Sequence, residues 1–162
     1  ALGMIMRYSS SEVILPYSKQ IFEAFKFTLG CEHVSREVLE NCAISLGWLA
    51  HRNAEIVAQE LADFFQVWCF GLMDIVESDE KTFAYFGFCK AVKTNPGAIF
   101  NQNLRYLFEA IACWDEPPQE LAQEFHHLLH EFKKSAPAAE WAEFVGSVHP
   151  QISTKLAQLY NI

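Results

Sequence analysis

Three histidines crowd into one short segment, Glu-Phe-His-His-Leu-Leu-His-Glu-Phe, at residues 124–132. His126 and His130 are four residues apart, so they share one face of a helix, where two imidazoles can hold zinc if a third ligand arrives. A metalloprotease places a glutamate between its two histidines, whereas here Glu131 follows the second one. The apolar residues of the segment form a core stripe on the opposite face. We therefore expect solvated or hydrogen-bonded histidines and no bound metal.

The remaining pairs of reactive side chains give little support for catalysis. Cys42 and His51 lie on one predicted helix, but no third group is placed to orient the histidine as a general base. No glycine-rich loop follows a strand pattern, so nucleotide binding has no support. We predict that the chain is not an enzyme and needs no cofactor.

A different set of residues suits binding. Asn41, Ile44 and Trp48 recur at i, i+3 and i+7 and therefore form one stripe of a helix. The amide could pair with the backbone of an extended peptide, while the isoleucine and tryptophan lose water against its side chains. On the residues alone, an ordinary, partly exposed helix face remains the simpler interpretation.

The composition of the chain disfavours a nucleic-acid-binding or membrane-spanning protein. The 162 residues carry 20 acidic and 12 basic side chains, a net charge of −8, which disfavours a surface for nucleic acid and favours basic partners. No stretch approaches the roughly 18 uncharged apolar residues of a membrane span. The five cysteines form no Cys-x-x-Cys pair, and their odd number argues for reduced thiols in the cytoplasm or nucleus.

Apolar residues recur at helical spacing along the whole chain, and strict alternation is scarce. Ser35 and Asp79 are predicted N-caps, Gly30 is a predicted C-terminal cap, and a bend is expected near Gly71. The predicted helices cover residues 1–8, 13–29, 36–50, 55–76, 80–93, 98–114, 119–134, 138–148 and 152–159.

Glycines recur within this pattern. Gly3, Gly47 and Gly87 are 44 and 40 residues apart, and each lies late in a predicted helix that is followed by a turn and another amphipathic helix. A period of about 40 to 47 residues with two helices per unit is typical of HEAT or armadillo repeats. A small residue inside a helix would let neighbouring backbones approach closely. The alternative is an irregular helical bundle in which the glycines coincide by chance.

The sequence thus predicts an all-α protein, an α-solenoid of HEAT or armadillo repeats, as a single unit over residues 1–162. We expect residues 1–8 to be the tail of a helix and the last residues to form capping helices. The predicted repeats cover 13–51, 55–94 and 98–134, and the predicted cap covers 138–162.

The segment Leu-Glu-Asn-Cys-Ala-Ile-Ser-Leu-Gly-Trp-Leu at residues 39–49 resembles the transportin family, a karyopherin-β class of nuclear import receptor. Further matching features follow in the same order and extend the resemblance over essentially the whole chain. They are Val67-Trp68-Cys69, Glu80-Lys81 before Phe86 to Cys89, Asn95-Pro96, Ala112-Cys113-Trp114, Leu129-His130-x-Phe132-Lys133, Trp141 and Leu-x-x-Leu-Tyr-x-Ile ending at Ile162.

This resemblance implies a HEAT-repeat α-solenoid, the carboxyl-terminal HEAT repeats of such a receptor, built as a right-handed superhelix of antiparallel helix pairs. It also implies that residues 1–8 are the end of a truncated inner helix. Its inner helices, at 36–50, 80–93 and 119–134, would line a concave face, with those at 13–29, 55–76 and 98–114 outside. The family's signal-contacting asparagine and isoleucine fall on Asn41 and Ile44. Trp48 replaces an arginine of the family, so it could alter which signals are tolerated or simply pack.

The resemblance also implies partners. They are cargo proteins with basic or proline-tyrosine nuclear localisation signals, and Ran-GTP and nucleoporins through the full-length receptor. It implies shuttling between cytoplasm and nucleus, with no membrane and no direct nucleic acid. The alternative is a HEAT scaffold or capping module for protein assembly that has no peptide site of its own.

Overall fold

A computed structural model of the chain describes residue 5, residues 7–100 and residues 103–162. Within these ranges the regular elements are all helical and no strand occurs. The predicted helix at 1–8 and Gly3 lie largely outside the described residues. The α-helices are α1 (Ser11–Ile14), α2 (Ser18–Leu29), α3 (Arg36–Arg52), α4 (Ala54–Ala58), α5 (Leu61–Asp74), α6 (Asp79–Thr94), α7 (Leu104–Ala112), α8 (Gln119–Ser135), α9 (Ala138–Ser147) and α10 (Pro150–Tyr160).

Serine side chains cap the N-termini of the two central helices, α3 and α6. The Ser35 hydroxyl accepts a hydrogen bond from the backbone N–H of Val38 at 3.4 Å, which confirms the predicted N-cap of α3. At α6 the hydroxyl of Ser78 accepts from the N–H of Lys81 at 3.2 Å. Asp79, the predicted cap, is instead the first residue of α6, where its carboxylate favours the positive end of the helix dipole.

Two long predicted helices are each divided. The helix predicted at 13–29 is interrupted by a 3₁₀ turn at Leu15–Tyr17, because Pro16 lacks the N–H that a helix interior needs. The helix predicted at 55–76 is divided after Ala54–Ala58, and α5 begins at Leu61. Gly71 lies inside α5, which continues without a break to Asp74, and the bend expected near it stays a prediction.

Gly71 allows α5 to pack closely against α3. A Cβ atom at this position would lie 2.8 Å from the Cβ of Ala43 and 3.0 Å from the carbonyl oxygen of Leu39, both on α3. The third long helix also differs from expectation: it begins at Leu104 rather than residue 98, after a 3₁₀ turn at Pro96–Ala98.

The helices form two layers. In one layer α3, α6 and α8 lie side by side, and in the other α2, α5 and α7 do the same. Helix α5 also packs on α3 and α6, which joins the layers, and α10 closes one end against α7 and α8. This all-α arrangement of stacked helix pairs is that of a HEAT solenoid.

Aromatic side chains fill the space between the layers and bond them with their polar atoms. The indole N–H of Trp68 on α5 donates to the carbonyl oxygen of Ala43 on α3 at 3.1 Å. The hydroxyl of Tyr85 on α6 donates to the carbonyl oxygen of Ala110 on α7 at 2.8 Å. Both rings are fully buried, so these bonds satisfy groups that would otherwise be costly to bury.

Glycines allow the backbones of α3 and α6 to approach each other very closely. A Cβ atom on Gly47 would lie 2.4 Å from the Cα of Ala84, a distance at which backbone would have to move. The predicted role of Gly47 in close packing of neighbouring helices is therefore confirmed. The close approach also brings the exposed side chains of α3 and α6 together at one surface.

Candidate functional site

The three residues predicted to bind a peptide differ in exposure along α3. Asn41 is exposed, and its amide nitrogen donates to the carbonyl oxygen of Glu37 at 2.6 Å, one turn earlier. Among the described residues the amide oxygen of Asn41 has no hydrogen-bond partner, so it remains an acceptor for a ligand. Ile44 is half-buried and packs against the core, which leaves part of its side chain at the surface.

Trp48 is almost buried, with 8% of its surface exposed. Its ring stacks on Phe83 of α6, with the ring centroids 4.7 Å apart and the planes at 23°. The structure therefore gives Trp48 a packing role beneath the surface, and any ligand contact would be to its edge.

Phe83 is a member of this surface that sequence reasoning missed. Its side chain is 40% exposed although it stacks on Trp48. A signal for it was present, because Phe83 precedes Gly87 by four residues and so lies on the same face of α6, directed toward α3. Pairing Gly47 with Gly87 would have placed Phe83 near Trp48. We call Asn41, Ile44, Trp48 and Phe83 the α3–α6 face.

His51 borders the α3–α6 face beside Phe83. The two rings meet edge to face with centroids 6.4 Å apart. Burial, followed by the positive charges of Lys90 and Arg52, lowers the pKa of His51 below its ordinary value. Lys90 also donates to the backbone oxygen of His51 at 2.6 Å. The imidazole is thus neutral near pH 7, which suits a border of an apolar surface.

One acidic group lies beside Asn41 at the start of α3. Glu37 is one turn before Asn41, and hydrogen bonds from its own backbone N–H and from Ser35 hold the pKa of its carboxyl below the ordinary value. Glu80, at the start of α6, pairs with Arg7 at 2.9 Å. The α3–α6 face therefore combines an apolar centre, formed by Ile44 and Phe83, with the carboxylate of Glu37 near the start of α3.

The histidine segment of α8 has a structural arrangement. The rings of His126 and His130 stack with centroids 4.1 Å apart, and His130 Nε2 lies 2.9 Å from the carbonyl oxygen of Tyr160. This bond between α8 and α10 agrees with the expected hydrogen-bonded histidine. Over the described ranges no group of three or more potential metal ligands occurs.

The Cys42 thiol is buried on α3, and burial raises its pKa. A thiol held protonated in this way is a poor nucleophile, so the structure gives no support to chemistry between Cys42 and His51. Among the described helices, none combines the length and apolar character that crossing a membrane requires.

Comparison with known proteins gives relatives along most of the chain. Transportin-1 of Homo sapiens is 27% identical over 147 residues, or 91% of this chain and 16% of the human protein. Transportin-1 of Oryza sativa is 32% identical over 129 residues, or 78% of this chain and 14% of the rice protein. Transportin of Dictyostelium discoideum is 27% identical over 162 residues, or 100% of this chain and 17% of that protein. The chain is a transportin homologue.

The predicted transportin resemblance is thereby confirmed. This transportin homologue spans about a sixth of the length of the curated relatives it matches, since 16% of the human protein is aligned. No model of a protein family matches the chain. The relatives carry the names of transport receptors rather than enzymes.

Proposed function

We propose that the chain forms the carboxyl-terminal part of a nuclear import receptor and that its α3–α6 face binds an extended nuclear localisation signal. The observation that carries the proposal is the stack of Trp48 on Phe83. It joins two helices into one partly exposed apolar surface, which continues through Ile44 to the amide of Asn41.

The chemistry of the face selects a type of segment. An apolar side chain of the signal would lose water against Ile44 and the exposed part of Phe83. The free amide oxygen of Asn41 would accept a backbone N–H of the same extended segment. The carboxylate of Glu37 would favour a lysine or arginine at the end of the segment that lies along the start of α3. An apolar residue next to a basic cluster fits these three features.

The action of a whole receptor includes steps that need more than this chain. We expect that such a receptor takes cargo bearing basic or proline-tyrosine signals through the pore by way of nucleoporins, and that Ran-GTP releases the cargo. It would shuttle between cytoplasm and nucleus. The α3–α6 face would contribute one part of an extended signal site.

The test uses the full-length receptor and a labelled signal peptide, with affinity measured by fluorescence anisotropy. We expect Asn41→Ala and Ile44→Ala each to weaken binding by about tenfold, as truncation of an interface residue worth more than 1 kcal/mol does. Phe27→Ala is a matched control, because Phe27 on α2 is 78% exposed and lies outside the face. If several different signals bind both variants as tightly as the wild type, the proposal is wrong.

A second candidate function is a HEAT module that caps an assembly and has no peptide site. It is favoured by α10, which closes the end of the layers with Leu156 and Tyr160 buried, while Gln151 and Gln158 are exposed on its outer face beside the partly exposed Leu159. End repeats of a solenoid need such a polar outer surface. Amide NMR spectra separate the two functions: a signal peptide shifts the resonances of α3 and α6 only if the face binds it.

A further inference from the structure

A groove of about 730 Å³ lies between the start of α7, the end of α8 and the helix α9. Four apolar side chains line its floor and two carboxylates lie at its border. A smaller cavity of about 340 Å³ adjoins it and shares Phe100 and Ser135 with it. We call the larger one the α7–α9 groove; its floor is Phe100, Leu104, Trp141 and Phe144, and its carboxylates are Glu140 and Glu143. None of these residues belongs to the α3–α6 face.

The floor of the groove is held in place by rings beneath it. Phe144 meets Phe108 edge to face at 4.9 Å between centroids, and Trp141 meets the same ring at 5.8 Å. Phe100 meets Phe132 of α8 at 5.1 Å. The apolar surface is therefore formed before any ligand arrives, and binding would not need the ordering of these side chains.

The charge of the groove has one sign. Glu140 and Glu143 are exposed, three residues apart on one face of α9, and neither forms an ion pair with any residue the structure describes. Lys93, which lines the adjoining cavity, is already paired with Glu124. An apolar floor beside two unpaired carboxylates is complementary to a ligand that is apolar and basic.

We infer that the α7–α9 groove binds a segment of a partner protein in which a phenylalanine or leucine is flanked by lysine or arginine. The apolar side chain enters the groove over Trp141 and Phe144. The basic residues reach Glu140 and Glu143, which are close enough on α9 for one short segment to engage both. The volume lies within the range of about 300–1,000 Å³ that is usual for ligand pockets.

The test uses this chain and short fluorescein-labelled peptides, with affinity measured by anisotropy. The first peptide alternates phenylalanine with lysine, a second replaces its lysines by glutamate, and a third replaces its phenylalanines by serine. We expect only the first to bind well, and its affinity to fall as salt is raised, because the carboxylates are exposed to solvent.

Variants then locate the site. Glu140→Lys with Glu143→Lys should weaken binding of the first peptide by about tenfold or more. The control is Glu12→Lys with Glu23→Lys, which makes the same change of net charge on α1 and α2 and should have a much smaller effect. Ser135→Trp, at an exposed position that lines both cavities, should weaken binding by filling the groove.

Three results would overturn the inference. The first is an equal loss of affinity in the two charge-reversal pairs, which would mean that net charge alone attracts the peptide. The second is loss of binding in Ile44→Ala or Phe83→Ala, which would place the peptide on the α3–α6 face. The third is concentration-dependent self-association that Ser135→Trp abolishes in sedimentation, which would mean that a second copy covers the groove.

Discussion

Gly87 and Gly47 face each other across the contact between α6 and α3. A Cβ atom at Gly87 would lie 1.8 Å from the carbonyl oxygen of Gly47, far inside any real contact distance. Each glycine thus makes room for the backbone of the opposite helix. The cost of a glycine in a helix interior, roughly 1 kcal/mol relative to alanine, is offset by packing that no other residue allows.

The first prediction concerns this contact. Gly87→Ala and Gly47→Ala should each lower the free energy of unfolding by about 2–3 kcal/mol or more, because the added methyl group meets backbone that must shift. Urea unfolding followed by circular dichroism measures the change. Gly146→Ala in α9 is the matched control: nothing lies within 4 Å of its Cβ position, so alanine should be neutral or stabilise by up to about 1 kcal/mol. Equal stability of all three variants would contradict the packing role.

The second prediction concerns the different roles of Trp48 and Phe83 in the α3–α6 face. We expect Trp48 to support the fold and Phe83 to contact the signal peptide. Trp48→Ala should cost about 3–5 kcal/mol of unfolding free energy, as expected for a buried tryptophan. Phe83→Ala should cost clearly less because the ring is 40% exposed, and it should weaken binding of a signal peptide to the full receptor. Urea titration and anisotropy give the two quantities. A Phe83→Ala variant that binds peptide normally would remove Phe83 from the binding site.

The third prediction concerns the cysteines. Burial raises the pKa of the Cys69 and Cys89 thiols well above the ordinary value, whereas Cys31 is exposed. A chromogenic disulfide reagent at mildly alkaline pH should therefore modify Cys31 rapidly, and Cys69 and Cys89 only after unfolding. Cys113 is also exposed, so the double variant Cys31→Ser with Cys113→Ser should remove the fast phase. Fast reaction of Cys69 or Cys89 in the native protein would show that the layers open readily.

The fourth prediction is a pH dependence from His51. Its pKa is lower in the folded chain than in the unfolded chain, so the folded state favours the neutral imidazole. The resulting stability is present above the unfolded pKa, near 6.5, and is lost as pH falls below that value. His51→Gln should therefore lose less stability than the wild type between about pH 7.5 and about pH 5. His33→Gln, on an exposed residue of the loop before α3, provides the comparison. If both variants follow the wild-type profile, His51 makes no such contribution.

Helical periodicity and caps predicted most of the elements. Three features were predictable from single residues: the N-cap at Ser35, the helix end at Asn95-Pro96 and the packing position at Gly47. Each of these residues acts through its own backbone or the backbone next to it. The division after Ala58 was not predictable in this way. The residues 55–76 have helical periodicity throughout, and the break at Gln59 and Glu60 leaves no proline or glycine in the sequence to mark it. The short α4 packs against α3 and α6, and tertiary contacts of this kind can override local propensity.

The candidate site shows a similar limit. The stripe of Asn41, Ile44 and Trp48 follows from helix geometry, but its exposure does not. Trp48 is buried because Phe83, 35 residues later, covers it. The sequence contains both aromatic residues, yet only the distance between α3 and α6 decides that one ring shields the other. That distance is set by two glycines rather than by the aromatic residues themselves.

The Trp48–Phe83 stack joins side chains from two successive helix pairs. Any change in the angle between α3 and α6 would slide the two rings apart and alter the apolar surface beside Ile44. Affinity at the α3–α6 face would then depend on the curvature of the solenoid, and a ligand bound there would in turn resist bending at this junction. The affinity of the face for its ligand would then report the curvature of the surrounding helix pairs.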